Sequence, residues 1–359
     1  MRGRLKIYLG YAAGVGKTYR MLEEAQAARR NGVDVVIAYF EPHARQQTIA
    51  LTEGLESVPR RTINYAGTRF EEMDTDAVLR RHPQIALVDE FAHTNVPGSE
   101  RAKRWEDVRV LLDAGIEVWT TMNVQHLESL NDQVWHATGV RVRETVPDWV
   151  VDEADEVVMI DLTTRALRNR LERGVVYAPE KARRAMENFF TEANLSALRE
   201  MALRHTAHEV EEKLAPPAEP APSPTGRTER LLICLTGRPS SAVLIRRGKR
   251  VADYLHADCL AIHVTGGGEE TPDVRNAVER HLSFARNLRI ETHVVEARDV
   301  PRAIAEFARA QKITQIFMGR SQPRPWWQRF RENTVQRLVK QARDMQITIV
   351  AERRRQRLG

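Results

Sequence analysis

The sequence predicts an α/β protein made of two parallel-sheet domains. Short β-branched runs alternate with amphipathic helical stretches along most of the 359 residues, which implies parallel sheets covered by helices on both faces. A glycine-rich turn, GYAAGVGKT at residues 10–18, joins the first such run, LKIYL, to the first helical stretch. One stretch, APPAEPAPSPTGR at 215–227, interrupts the alternation. Its spaced prolines suit neither a helix nor a sheet interior and make a semi-rigid spacer. The boundaries expected are therefore 1–214, a linker at 215–227, 228–352, and a basic tail at 353–359.

In the first domain, LKIYL leads into the helix TYRMLEEAQAARRNG, where Met21, Leu22, Ala25 and Ala28 recur at helical spacing. The strand VDVVIAYF follows, then a helix over QQTIALTEGLE, a strand-like RTINYAG and a helix over DTDAVLRRH. The strand QIALVDE, the helix KRWEDVRVLLDAG and the strands IEVWTTM and EVVMIDL complete the sheet pattern. Residues 178–214 turn wholly helical, with Met186, Phe190, Ala193 and Ala197 as one apolar stripe that packs back on the sheet or on a partner. After the spacer, five strands (LLICLTG, CLAIHVTG, RIETHVVEA, QIFMGR, ITIVAE) alternate with four helices, and Leu244, Val251 and Leu255 line the first of these. That content makes one compact domain.

Composition narrows the class. Apolar residues at 42% and charged residues at 29% suit a globular protein. Two cysteines, Cys234 and Cys259, exclude a disulfide framework and a four-thiolate zinc ribbon. Both lie in strand-like apolar runs and read as reduced core thiols. No signal peptide is visible, and no window approaches about 18 uninterrupted apolar residues. A soluble, cytoplasmic location is expected. The net charge of +6 could serve phosphate ligands. Nucleic acid is not expected, because the arginines scatter over both domains and no recognised motif is present.

The turn at 10–18 resembles the phosphate cradle G-x-x-x-x-G-K-[ST], with one departure: Gly16, Lys17 and Thr18 match, but the first glycine position falls on Tyr11, with Gly10 one residue early. Small residues at Ala12, Ala13, Gly14 and Gly16 let backbone amides, Val15 included, face phosphate oxygens at the start of a helix. Lys17 is expected to reach the β and γ phosphates, and Thr18 to hold Mg²⁺. The strand IALVDE ends in Asp89, the expected second Mg²⁺ carboxylate, and Glu90, which could orient or deprotonate a water. ATP and Mg²⁺ are thus the expected cofactors of a P-loop-type domain. Polar groups past two other strands, Glu41, His43 and Arg45, then Thr121, Asn123, Gln125 and His126, fit γ-phosphate sensing as a set. No arginine finger stands out in cis, so slow or negligible turnover is expected.

These stretches carry a family resemblance. GYAAGVGKT with TYRML, VDEFAHTNVPGSE with KRWEDV and LLDAGI, TTMNVQHLESLND and VRETVPD resemble the amino-terminal domain of the KdpD sensor kinases. The resemblance covers nearly all of residues 4–214, and that family shares the shifted first glycine. Residues 228–352 resemble the universal stress protein module that follows in the same family, a smaller five-stranded, Rossmann-like α/β fold. The resemblance implies a cytoplasmic input region that binds ATP and tunes the kinase and phosphatase balance of a histidine-kinase core working with a response regulator. It leaves a homodimer open. The chain ends at AERRRQRLG without membrane spans or a kinase core, so it reads as a fragment or a short free-standing relative, and membrane contact is expected only through downstream segments.

The nucleotide site of the stress-protein module is altered. Gly319 remains, but Gln322 stands for the second glycine, and Asn333 precedes Thr334. Some relatives bind cyclic di-AMP through residues whose counterparts here are Thr236, Gly237 and Arg238 and the run Cys259–His263, of which only Ala261 fits. A nucleotide second messenger at 228–352 is therefore left open, with Ala261 as the one matching residue. Arg320, Trp326 and Trp327 form an aromatic-basic loop read as partner contact or loop packing. The leading expectation is an ATP-binding regulatory region of a potassium- or osmotic-stress sensor. The alternative is a stand-alone P-loop ATPase or small-molecule kinase with Glu90 as base.

Overall fold

The structure, a computed structural model, describes residues 1–42, 45–177, 179–214, 229–255, 257–266, 270–320 and 333–350. His43, Gln322, Trp326 and Trp327, the proline-rich spacer and the basic tail lie outside the described residues. The chain divides into two compact units, Met1–Pro216 and Pro217–Gly359.

The first unit runs β1 (Leu5–Gly10), α1 (Lys17–Arg30), β2 (Val35–Tyr39), α2 (Gln46–Ala50), β3 (Glu56–Ser57), β4 (Arg61–Tyr65), β5 (Thr68–Glu72), α3 (Thr75–Arg81), β6 (Ile85–Val88), α4 (Arg104–Asp113) and β7 (Glu117–Asn123). It continues with α5 (Asn131–Thr138), α6 (Asp148–Asp152), β8 (Glu156–Ile160), α7 (Thr164–Glu172), α8 (Pro179–Asn188) and α9 (Glu192–Leu214). Among the described residues, six parallel strands form one sheet in the order β3-β2-β6-β7-β1-β8. Its four central strands, β2, β6, β7 and β1, are buried on both faces. Leu5, Ile7 and Leu9 of β1 enter one apolar cluster, while Tyr8 enters the other with Met21 and Leu22 of α1. Alternate residues of a strand point to opposite faces, so a run such as LKIYL must be covered on both.

Register sets up the ends of these strands. Gly10 pairs with Asn123 across β1 and β7, and Val88 pairs with Thr120 across β6 and β7. The chain leaving β1, the acids after Val88 and the polar residues at the end of β7 therefore emerge at one edge.

Several local expectations change. RTINYAG is not a strand of the parallel sheet: β4 pairs antiparallel with β5 in a separate hairpin. Ala66 and Gly67 both take positive φ, 48° and 77°, the backbone that a tight two-residue hairpin turn requires. The helix expected over QQTIALTEGLE ends at Ala50, with Gly54 at φ 78° soon after. The helical stretch after 178 breaks between Asn188 and Glu192. That break shifts the phase of the apolar stripe, so α9 buries Leu195, Leu198 and Ala202 and leaves Ala193 exposed. Phe190 is buried and Met186 packs against the same cluster.

The second unit runs β9 (Arg230–Leu235), α10 (Ser240–Tyr254), β10 (Asp258–Thr265), α11 (Pro272–Asn287), β11 (Glu291–Glu296), α12 (Val300–Ala310), β12 (Gln315–Gly319), α13 (Thr334–Gln341) and β13 (Gln346–Val350). Its parallel sheet has the order β11-β10-β9-β12-β13. The chain starts at the centre, winds outward to one edge and returns to the other, as in doubly wound folds. Leu231, Ile233 and Leu235 of β9 face one cluster, and Leu232 and Cys234 the other. Burial pushes both cysteine thiols up to about 12, so neither is a reactive thiolate. Leu244 is buried in α10, but Leu255 is exposed because the helix ends at Tyr254. Asn333 caps α13 by accepting from the Gln336 amide, which gives that residue a structural reason to be there.

The two-faced core makes one prediction. Leu87, fully buried at the centre of β6, is expected to cost about 2–5 kcal/mol when changed to Ala. Urea unfolding of Leu87→Ala should show that loss; a change below about 0.5 kcal/mol, typical of a surface site, would contradict a packed interior there.

Candidate functional site

The loop between β1 and α1 is shaped by close packing at its first residue. A Cβ at Gly10 would lie 2.6 Å from Val15 Cγ2 and 2.9 Å from Lys17 Cδ, so any larger residue displaces the loop's own side chains. Tyr11, which takes the position usually given to glycine, is fully buried and donates its hydroxyl to the Leu162 carbonyl at 2.8 Å. Burial pushes that hydroxyl up to about 12. The shifted glycine is therefore a second way to pin the start of the loop, with a tyrosine anchor in place of a flexible hinge. At the other end Gly16 caps α1 with φ 113°, a left-handed conformation that glycine adopts without a Cβ clash. The first amides of α1 face the edge at which the strands end.

Lys17 and Thr18 open α1, and both are buried. Lys17 Nζ donates to Asn123 Oδ1 at 2.6 Å and to the Ala12 carbonyl at 3.4 Å. Its pKa is lowered to about 8, with burial the largest cause and Arg45 acting in the same direction, while Asp89 and Glu90 oppose the shift. Thr18 Oγ1 donates to Asp89 Oδ1 at 3.2 Å, and Thr121 Oγ1 makes a shorter bond to the same oxygen. Asp89 is 3% exposed. Burial, with Glu90 beside it, holds its carboxyl above the usual range against those two hydroxyl donors and the charge of Lys17.

Behind Asp89 stands a buried arginine that the sequence did not single out. Arg104, fully enclosed, donates to Glu72 Oε2 at 2.9 Å and to the Asp89 carbonyl at 3.3 Å. Its guanidinium carbon lies 3.6 Å above the centre of the Tyr39 ring. Burial alone would raise Glu72, but the His93 ring, the Val96 amide and Arg104 hold it below the usual carboxylate range. An ion pair so enclosed tolerates loss of neither partner. Glu90, next to Asp89, takes φ 59°, an uncommon backbone for a residue with a Cβ. Its carboxylate lies 3.9 Å from Arg104 Nη1.

Lys17, Thr18, Asp89, Glu90, Thr121 and Asn123 line one cavity of about 140 Å³, together with Gly14, Arg45 and His126. Burial lowers the pKa of His126, whose Nδ1 donates to the Glu144 carbonyl at 2.8 Å, so the ring is neutral near pH 7. Val15 is buried beneath the loop and Gly16 ends it, and neither lines the cavity. Of the other polar residues read from the sequence, Glu41 turns away, accepting from the Tyr39 hydroxyl at 3.1 Å and lying 3.7 Å from Arg60. Gln125 does not line the cavity. Arg170 of α7 donates to the Gly14 carbonyl at 3.1 Å and holds the loop from outside. The only sequence signals for Arg104 and Arg170 were arginines in amphipathic helices, a pattern shared with solvated surface residues.

The donor set bears on which metal could sit here. The cavity offers a hydroxyl and a carboxylate in contact, both hard oxygen donors that suit Mg²⁺ when phosphate oxygens and water supply the remaining ligands. Among the described residues no group of three or more His, Cys, Asp or Glu could hold a metal unaided.

Residues 1–210 match the family described as KdpD, osmosensitive K⁺ channel His kinase sensor domain. A putative sensor protein KdpD of Synechocystis sp. is 43% identical over 98% of this chain and 94% of its own length. The sensor protein KdpD of Escherichia coli is 42% identical over 98% of this chain, which spans 39% of that relative. One of Mycobacterium tuberculosis is 43% identical over 97% of this chain and 41% of its own length. Among solved structures, a universal stress protein in complex with cAMP is 15% identical, covering 35% of this chain and 98% of its own, at TM-score 0.29. With its first unit matched almost throughout and a relative aligned nearly end to end, the chain belongs to the KdpD sensor family.

Proposed function

We propose that this chain is an ATP-binding regulatory region of a potassium- or osmotic-stress sensor kinase, modulating the output of a kinase core in a two-component system. The observation that carries the reading is the convergence of Lys17, Thr18 and Asp89 at the start of α1. An ammonium, a hydroxyl and a carboxylate share one cavity behind a glycine-shaped helix N-terminus. Amides of the loop and of the first turn of α1 would hold phosphate oxygens, and Lys17 would exchange the Asn123 carbonyl for an oxygen of the ligand. Thr18 and Asp89 would hold Mg²⁺, which supplies charge neutralisation between phosphates when bound. The cavity, about 140 Å³, is below the range of about 300–1,000 Å³ that encloses a whole small ligand. It suits the phosphate chain, with the nucleoside at the rim.

Equilibrium binding of labelled ATP with Mg²⁺ tests the reading. Lys17→Ala should weaken binding by about 10- to 150-fold, the equivalent of about 1.5–3 kcal/mol for a charged hydrogen bond; equal affinity would remove the site. The protonated lysine is the form that pairs with phosphate, and a bound polyanion raises its pKa above the free value of about 8. Affinity is therefore expected to hold below about pH 8 and to fall as pH rises above it. Lys17→Ala should lose that dependence, and a wild-type affinity flat across this window would contradict the role of Lys17.

Glu90 favours a second reading, a stand-alone ATPase or small-molecule kinase. Its carboxylate borders the cavity on a positive-φ backbone, the kind of strain that gathers at reacting centres. Phosphate release separates the two. A trivial rate unchanged in Glu90→Gln is expected of a regulatory site, whereas a large loss on that substitution would establish turnover with Glu90 as base.

A further inference from the structure

The charges around the cavity are unevenly satisfied. Asp89 accepts from two hydroxyls, Arg104 is paired with Glu72, and Arg170 is engaged with loop carbonyls. Lys17 has Asn123. Arg45, just before α2, lines the same cavity, yet its buried Nε has no hydrogen-bond partner. Among the described residues no carboxylate lies within ion-pair distance of it. Its charge instead acts against the protonated form of Lys17. Asp89, Glu90 and Glu144 line the cavity as well, so an occupant with anionic oxygens at the two cations and a metal at Asp89 would match both signs of charge.

Sheet order says which part of that occupant Arg45 meets. The loop follows β1, and Arg45 follows β2, with β7 and β6 between them. Three strand spacings make about 14 Å across the edge. A phosphate chain anchored on the α1 amides and running toward Arg45 would cross the ends of β7 and β6, past Asp89. In that direction the loop would hold the inner phosphate, and the terminal one would reach the space between Lys17 and Arg45.

We propose that Arg45 makes the cavity selective for nucleoside triphosphate over diphosphate by pairing with the terminal phosphate. The inference rests on the nucleotide reading above and adds to it a specificity residue. A guanidinium stays charged at all relevant pH values and can meet two phosphate oxygens at once. A diphosphate anchored at the loop stops short of it. The occupancy signal would then report the triphosphate itself, and Arg45 would be where the two nucleotides differ.

The test is equilibrium titration of the full chain, with Mg²⁺, using ADP and the non-hydrolysable imido analogue of ATP. Wild type, Arg45→Ala and Arg45→Lys are compared, with thermal unfolding of each variant to confirm an unchanged fold. Arg45→Ala should weaken the triphosphate by about tenfold or more and leave ADP within about twofold, so that the preference collapses. Arg45→Lys, which keeps the charge but not the fork, should fall between. Equal losses for both nucleotides, or no loss for either, would overturn the inference while leaving nucleotide binding in place. Failure of wild type to bind either nucleotide would overturn the nucleotide reading, and this inference with it.

Discussion

A carboxylate removed from water needs donors close at hand, and the donors of Asp89 tie the first unit's functional edge together. Thr18 comes from α1, Thr121 from β7, and Arg104 from α4 grips the carbonyl of Asp89 itself. Ionised and unpaired, such a group would cost several kcal/mol. Those contacts offset part of that cost, and each fixes a different element relative to the end of β6. Register does the coarse placement, since Val88 beside Thr120 brings the next residues, Asp89 and Thr121, together. The hydroxyl bonds then set the geometry. Arg104 extends the same constraint backward through Glu72 to His93 and the amide of Val96, so the hairpin strand β5, which ends at Glu72, is linked to the site.

Lys17 presents the complementary case. Its ammonium is buried against the Asn123 amide oxygen and a loop carbonyl, neutral acceptors that compensate a desolvated cation poorly. Its lowered pKa expresses that shortfall. An incompletely compensated cation beside a carboxylate is the arrangement that the proposed polyanion and its metal would compensate, each group gaining a partner of opposite charge. This polarity, more than the loop's sequence pattern, supports a phosphate ligand. The departure at the first glycine position is absorbed by Tyr11, whose buried ring and bond to Leu162 secure the loop.

Much of the fold was legible because two periodicities dominate it. Runs such as IALV and LLICL are apolar on both faces, as parallel strands covered on both sides are, and the helices between them carry stripes at helical spacing. What escaped has local causes. The β4–β5 hairpin is mostly exposed and turns through Ala66 at positive φ, a conformation that alanine does not announce. The stripe of α9 was misphased because the break after Asn188 has no proline or glycine to mark it. At the site, Gly16, Lys17, Thr18 and Asp89 were visible as motif positions, and Asn123 through its place past a strand. Arg104 was not: a buried arginine in a charged helix looks like a surface arginine until its partner, Glu72, is brought to it by tertiary folding.

The central claim is that the edge formed by the α1 N-terminus, Asp89 and Asn123 receives a triphosphate with its metal. The most direct measurement is a crystal structure of the chain grown with Mg²⁺ and a non-hydrolysable ATP analogue. The account predicts phosphate oxygens on the loop amides, Lys17 turned from Asn123 to the ligand, and Thr18 and Asp89 about the metal. A structure at saturating nucleotide with the Lys17–Asn123 contact intact and the analogue bound elsewhere would contradict it.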